Sequence, residues 1–256
     1  MKIARFEHEN QLAYGILDED ENELVKLFGD PIISGIEPID ERVPMDAVRL
    51  LAPVIPRSKV VAFGRNYAEH ARELGNEVPG DPMMFLKPNT SIIGPGHPIL
   101  LPPQSQQVEH EVELAVVIGQ VARHVPANDA GLVIFGYTVA NDVTARDLQK
   151  SDGQWGRAKG FDSFCPLGPW IETEFNPAEG VIGAKVNGET KQLGNLKQME
   201  RTVGELVSFA SSVFTLLPGD VLLTGTPAGV GPLAAGDEVT CAIEGIGALT
   251  NPVERA

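Results

Sequence analysis

Apolar and polar positions alternate in short runs along most of the chain. KIARFEH (2–8) and LAYGILDE (12–19) switch sides residue by residue, and an acidic turn at Asp18 to Asn22 follows. The proline-spaced segment EPIDERVPMDAVRLLAPVIPRS comes next, and the texture changes near Pro56 to Lys59. Beyond it, β-branched runs bounded by glycine and proline predict strands: VELAVVIG (112–119), GLVIFGYTVAN (131–141), GDVLLTGTP (219–227) and DEVTCAIEGIG (237–247). Two stretches have helical spacing instead. In RNYAEHARELGN, Asn66 is placed to cap, Glu69 to complete a capping box and Gly75 to stop the helix. In MERTVGELVSFASSVFTLLPG, Val203, Leu206, Val207, Ala210 and Phe214 fall on one face before Pro218-Gly219.

Two helices cannot supply the crossovers of a doubly wound parallel sheet, so an α+β, strand-rich chain with a mixed, curled sheet is expected. The domain division predicted is 1–57, a small N-terminal β-containing domain, and 58–256, the main domain. At 256 residues the chain buries a large core without help from metal or disulfides, which leaves any metal site free for function.

Charge narrows the partners. Against 35 acidic residues stand 20 Lys plus Arg, a net charge of -15, which repels phosphate backbones and anionic lipid; neither nucleic acid nor a membrane is expected as a partner. An anionic substrate would require a local reversal of that field, and a divalent cation provides one. The two cysteines, Cys165 and Cys241, lie far apart outside any CxxC, as in a reducing compartment. Acidic residues from Glu7 onward interrupt any leader pattern, and no apolar run approaches about 18 residues, so a cytoplasmic location is expected.

Candidate chemistry starts at Glu111 and Glu113, which open a strand that otherwise reads as buried. Period two puts both carboxylates on one face, with Val112, Leu114, Val116 and Ile118 on the other. Two such charges at the edge of a core call for a facing cation, either a basic side chain or a metal. GYTVAND places Asp142 at a second strand end, and three hard oxygen ligands suit Mg²⁺ or Mn²⁺ better than zinc. His110 alternates away from Glu111, toward a structural or surface role. His70 and Glu73 are three apart on the first helix, within mutual reach. Such a pair is usually a solvated helix face; the functional reading is a carboxylate-oriented general base. Lys159 in WGRAKGFDSF reads either as an exposed loop lysine or as a cation for a substrate oxygen. TGTPAGVGP lacks the GK[ST] of a phosphate loop. GxGxxG and GxSxG are absent, and Cys165, followed by Pro166, reads as a packed loop cysteine.

Taken in order, AFGRNYAEH, MMFLKPNTSIIGPG, EHEVELAVVIG, GYTVANDVTARDLQ, RAKGFDSFCPLGPW and PGDVLLTGTPAGVGP resemble the signature blocks of the fumarylacetoacetate hydrolase family over residues 59 to about 254. The first segment resembles the N-terminal extension of bacterial members described as hydrolases or as isomerases of hydroxy-diene-dioates. The resemblance implies a mixed β roll, a homodimer, and Mg²⁺ or Mn²⁺ held by Glu111, Glu113 and Asp142. It further implies that His70 and Glu73 activate water from a lid and that Lys159 contacts the substrate. Gln149 and Thr226 match substrate-contacting positions. The expected activity is carbon–carbon hydrolysis of a 2,4-dioxo acid of the acylpyruvate or fumarylpyruvate type, through an enolate neutralised by the metal and Lys159. Isomerisation of 2-hydroxy-diene-dioates and decarboxylation of oxaloacetate share that enolate and remain alternatives. A non-catalytic protein binding metal or a small acid is the rival from another class. A glycoside hydrolase is a poor third reading, since carboxylates two apart on one strand cannot flank a glycosidic bond from opposite sides.

Overall fold

Val112, Leu114, Val116 and Ile118 alternate with Glu113, Ala115 and Val117, and the chain spends the two sets on different cores. The computed structural model describes residues 1–256. The first segment forms β1 (Lys2–His8), β2 (Gln11–Asp18), β3 (Glu23–Leu27) and β4 (Pro38–Pro44). The second contributes β5 (Val60–Gly64), β6 (Met83–Lys87), β7 (Val112–Ile118), β8 (Ile134–Asn141) and β9 (Cys165–Glu172). The hairpin of β10 (Val181–Val186) and β11 (Glu189–Asn195) follows, then β12 (Val221–Leu223) and a last hairpin, β13 (Glu238–Ile243) with β14 (Gly247–Arg255).

One twelve-stranded sheet runs β4-β3-β2-β1-β9-β8-β7-β12-β5-β6, with two two-residue strands beside it. Along that run only β12 and β5 pair in parallel, as Val221 with Val60. The five-stranded sheet orders β11-β10-β13-β14 with the short strand Ile99–Leu101 at its edge. β7 therefore lies near the middle of the large sheet, covered on both faces. Val112, Leu114, Val116 and Ile118 enter a core shared with the five-stranded sheet (Ile182, Val239, Ile243). Ala115 and Val117 pack on the opposite face with Val54, Val60 and Leu167. This is the strand-rich, mixed α+β architecture that the alternation predicts.

The N-terminal strands continue the large sheet rather than hang from it, since β1 pairs antiparallel with β9 at Lys2↔Glu172 and Ile3↔Ile171. Their own small core gathers Ala4, Phe6, Leu24 and Val43.

Four helices matter to the site: α1 (Ala68–Glu73), α2 (Arg146–Asp152), α3 (Gly156–Lys159) and α4 (Val203–Val213). α1 differs from its expected capping. Its N-cap is Tyr67, without a side-chain bond, because Asn66 is occupied elsewhere. The Asn66 amide donates to the carbonyls of Thr224 (2.8 Å) and Arg201 (3.0 Å) and accepts from the Arg201 N–H (2.8 Å). Tertiary partners thus outbid the local cap. Gly75, with φ +70°, closes the helix as expected. α4 ends at Val213, five residues before Pro218, and buries Val203, Leu206, Val207 and Ala210. Its true start is Thr202, whose hydroxyl accepts from the Glu205 N–H while the Glu205 carboxylate accepts from the Thr202 N–H (2.7 Å). Cys165 opens β9 rather than lying in a loop, and burial pushes its thiol up to about 12.

Candidate metal and acid–base centre

Pairing register assembles the three carboxylates. β7 and β8 run antiparallel with Val112 opposite Asn141 and Glu113 opposite Ala140. Continued by one residue, the same register sets Glu111 opposite Asp142, whose N–H donates to the Glu111 carbonyl at 2.8 Å. Directly paired residues share a face and alternate residues repeat it, so Glu111, Glu113 and Asp142 all project the same way. Their carboxylate oxygens lie within 4.8 Å of one another, and all three residues are buried. The Asn141 side chain holds this strand end by accepting from the Glu111 N–H at 2.9 Å.

Three buried cations meet this charge. Lys159, on α3 and 2 % exposed, is no surface lysine: its ammonium donates to Glu111 Oε2 (2.8 Å) and Asp142 Oδ2 (2.5 Å). Lys87, at the end of β6, donates to Asp142 Oδ1 (2.6 Å) and to the Lys159 carbonyl. It thereby ties a candidate ligand to the peptide that carries Lys159. Arg146, at the start of α2, donates from Nε to Glu109 Oε2 (2.7 Å), from Nη1 to Gln149 Oε1 (2.7 Å) and from Nη2 to Glu111 Oε1. Lys87, Arg146 and Glu109 escaped the sequence reading. Lys87 carried the one available signal, a charge closing the apolar strand MMFLK as Glu111 opens another.

The two glutamates differ in their surroundings. Burial would push the Glu111 carboxyl up, but the Lys159 and Arg146 cations outweigh it and hold the group well below the usual carboxylate range. For Glu113, burial and the negative charges of Asp142 and Glu111 raise the pKa well above its ordinary value. The Gly225 N–H, 2.6 Å from Glu113 Oε2, does not offset them. Gly225 has φ +96°, and a Cβ there would lie 2.8 Å from Asn66 Cβ, so this donor requires glycine. A cluster of hard oxygens with one carboxylate lacking a cationic partner fits Mg²⁺ or Mn²⁺, which Glu111, Glu113 and Asp142 would hold.

α1 lies over this cluster. His70 Nδ1 is 3.2 Å from Glu73 Oε2, and the Glu73 oxygens accept from the Gly229 N–H at 3.0 and 3.2 Å. A carboxylate only accepts, so Nδ1 carries the proton and Nε2 keeps the basic lone pair. Gly229 has φ +99°, and a Cβ would fall 2.1 Å from the Lys191 carbonyl, which makes the contact specific to glycine. His70, the three carboxylates, Lys159, Gln149 and Thr226 line one cavity, so of the residues the resemblance assigns to catalysis, substrate or metal only Glu73 is absent from its wall. Phe63, Arg65 and Trp155 line it too, and the Trp155 ring meets Phe85 edge-on at 5.2 Å.

Thr226 brings its side chain to the wall already engaged. Its hydroxyl donates to the Val112 carbonyl (2.7 Å) and accepts from Gln192 Nε2 (2.8 Å). Gln192 is a further residue the sequence did not reveal. Fully buried, it also donates to the Pro227 carbonyl (2.7 Å) and accepts from the Val112 N–H and from His110 Nδ1, both at 3.0 Å. His110 is thus a buried structural histidine, and burial lowers its pKa.

Residues 59–254 match the family described as fumarylacetoacetate (FAA) hydrolase C-terminal, and residues 1–53 the family described as Rv2993c-like, N-terminal. Protein Rv2993c of Mycobacterium tuberculosis is 48% identical over 100% of this chain and 98% of its own length. Human mitochondrial oxaloacetate tautomerase FAHD2A is 46% identical over 82% of this chain and 71% of the relative. The crystal structure of 5-carboxymethyl-2-hydroxymuconate delta-isomerase from Mycobacterium smegmatis superposes with a TM-score of 0.93 at 46% identity, covering 100% of both chains. With the family profile spanning most of the chain and relatives near half identity sharing its strand-rich fold, the chain belongs to the fumarylacetoacetate hydrolase family.

Proposed function

We propose that this chain is a divalent-metal-dependent enzyme that forms and stabilises the enolate of a small 2-oxo acid, with His70 as the base. One observation carries the reading: α1 brings an oriented imidazole into the cavity that holds the three carboxylates and Lys159. Bound Mg²⁺ or Mn²⁺ would act as a Lewis acid toward the 2-oxo acid. Every other part belongs to the chain. His70 Nε2 accepts a proton from C3 of the substrate, while Glu73, held by the Gly229 N–H, fixes the ring and stabilises the imidazolium. Lys159 donates toward the developing negative oxygen, and Lys87 keeps the Lys159 peptide in register. Return of the proton at a different atom completes a tautomerisation or isomerisation. The names of the tautomerase and isomerase relatives support this reading.

Hydrolysis of a 2,4-dioxo acid is the second reading, favoured by the same dyad, since an imidazole oriented by a carboxylate can take a proton from water as well as from carbon. The water would attack the distal carbonyl, and the bond to the enolate carbon would break.

Nuclear magnetic resonance in D₂O decides between them. With Mg²⁺ or Mn²⁺, exchange at C3 of oxaloacetate or a related 2-oxo acid is expected, and His70→Ala and Glu113→Gln should each slow it at least about 100-fold. Metal-dependent cleavage of acylpyruvates exceeding exchange selects hydrolysis. Neither exchange nor cleavage across the panel, with a metal that only raises the melting temperature, would leave a binding protein and sink the proposal.

A further inference from the structure

We infer that Gln192 is a positioning residue for the acid–base pair: from an outer hairpin it anchors the stretch Pro227–Gly229, whose last N–H holds Glu73, and so fixes which nitrogen of His70 carries the proton. The inference rests on the enolate reading above for its catalytic meaning and adds a residue to that same site.

A bulge turns the Gln192 amide inward. In the β10–β11 ladder Lys185 pairs with Thr190 and Ala184 with Gln192, which leaves Lys191 without a partner. In a regular strand Gln192 would share a face with Thr190, which is exposed; with the extra residue it sits opposite buried Ala184 and is itself fully buried.

A carboxamide has two N–H groups and two acceptor lone pairs, and Gln192 uses all four. Its oxygen accepts from the Val112 N–H and from His110 Nδ1, which ties the hairpin to the strand end that carries Glu111 and Glu113. Its nitrogen donates to Thr226 Oγ1 at 2.8 Å and to the Pro227 carbonyl at 2.7 Å. One side chain thus joins the candidate ligand strand to the loop that leads to Glu73.

That loop has few other ties. Thr224, Gly225 and Thr226 bond directly to β7, at the Leu114 carbonyl, the Glu113 carboxylate and the Val112 carbonyl. From Pro227 to Gly229 the chain is held by hydrogen bonds at two points: the Pro227 carbonyl accepts from Gln192, and the Gly229 N–H donates to Glu73. The same hairpin also sets the loop by contact. A Cβ on Gly194 would lie 2.8 Å from Pro227 Cβ, and one on Gly229 would lie 2.1 Å from the Lys191 carbonyl. Without the Gln192 donor the Gly229 N–H loses its fixed place, Glu73 is released, and His70 Nδ1 loses its acceptor. An imidazole with no acceptor at Nδ1 is free to take the Nε2–H form, which has no lone pair at the nitrogen that receives the substrate proton.

Nitrogen-15 magnetic resonance on histidine-labelled, metal-free protein reads the tautomer directly at about pH 8.5, where imidazole is neutral. The His70 signals are those missing from His70→Ala. Wild type is expected in the Nδ1–H form. Gln192→Glu keeps the oxygen that meets Val112 and His110 but turns an acceptor toward the Pro227 carbonyl. It should bring the Nε2–H form to at least about a third of the signal, as Glu73→Ala should. Gln192→Met replaces the glutamate variant if that one melts early. With Mg²⁺, Gln192→Glu should lower kcat for C3 exchange about tenfold with KM held within about threefold, yet cost less than about threefold in a Glu73→Ala background. A His70 ring that stays in the Nδ1–H form in both Gln192 variants, or losses that multiply in the double variant, overturns the inference and leaves Gln192 a support of the fold. Wild type without C3 exchange would sink the enolate reading instead, and the tautomer comparison, made without metal or substrate, would still decide the hold of Gln192 on the pair.

Discussion

The Lys159 ammonium donates to Glu111 and Asp142, two of the three carboxylates that would hold a divalent cation. An ammonium and a metal ion would therefore compete for the same charge, while in the proposed reaction both would serve an enolate. Lys159→Met should raise Mg²⁺ affinity by up to about tenfold through lost repulsion and still lower turnover at least about 100-fold. Calorimetry beside kinetics reads the two effects separately. Affinity falling together with turnover would show Lys159 building the ligand set instead. The carboxylates were legible because period two is a local property: Glu111 and Glu113 flank Val112 in a strand whose other residues are apolar. The cations were not. Lys87 reaches Asp142 across 55 positions and Arg146 reaches Glu109 across 37, and no local periodicity encodes either pairing. Gln192 is harder still, because it lies on an outer hairpin whose sequence shows only a polar run, ETKQ.

Helix ends show the same limit at the scale of elements. Asn66 and Glu69 have the spacing of a capping box, yet Arg201 and Thr224 claim the Asn66 side chain, and the box forms instead at Thr202 and Glu205, where nothing competes. The T-x-x-E spacing there is legible in the sequence. Bonds from the Thr202 N–H, and then from the Thr202 hydroxyl, hold the Glu205 carboxyl below its ordinary range. A carboxyl with a depressed folded-state pKa contributes stability that is present above its unfolded value, roughly 4.3, and lost as pH falls through the folded value. Thr202→Ala should cost about 1 kcal/mol at pH 7, a melting shift of about 2–4 °C. The gap from wild type should narrow as pH is lowered toward about 3.5. An equal gap at both pH values would show that the bond from the Thr202 hydroxyl to the Glu205 carboxylate adds nothing that depends on its charge.

At the scale of the whole molecule, the candidate ligands stand on the best-buried strands of the fold. β7 and β8 lie in the middle of the twelve-stranded sheet, with cores on both faces, and β6, α2 and α3 are tied to them through Lys87, Arg146 and Lys159. The change of texture near Pro56 to Lys59 lies in the stretch between β4 (Pro38–Pro44) and β5 (Val60–Gly64). That β1 extends the same sheet through Ile3 and Ile171 was invisible, because pairing so distant leaves no mark on either segment. Centring the ligands in the cooperative core has a thermodynamic consequence: the site cannot open without breaking the β7–β8 ladder, so ion binding must register in global unfolding. An ion that binds only the folded chain adds about 2.7 kcal/mol at one hundred times its dissociation constant. For a chain of this size that raises the melting temperature by about 5–10 °C. Scanning calorimetry with and without Mg²⁺ or Mn²⁺ measures it, and Glu113→Gln should remove most of the shift by deleting the one ligand without a cationic partner. A shift of equal size in that variant would place the ion on the acidic surface, where a net charge of -15 offers many weak sites, and not at the end of β7.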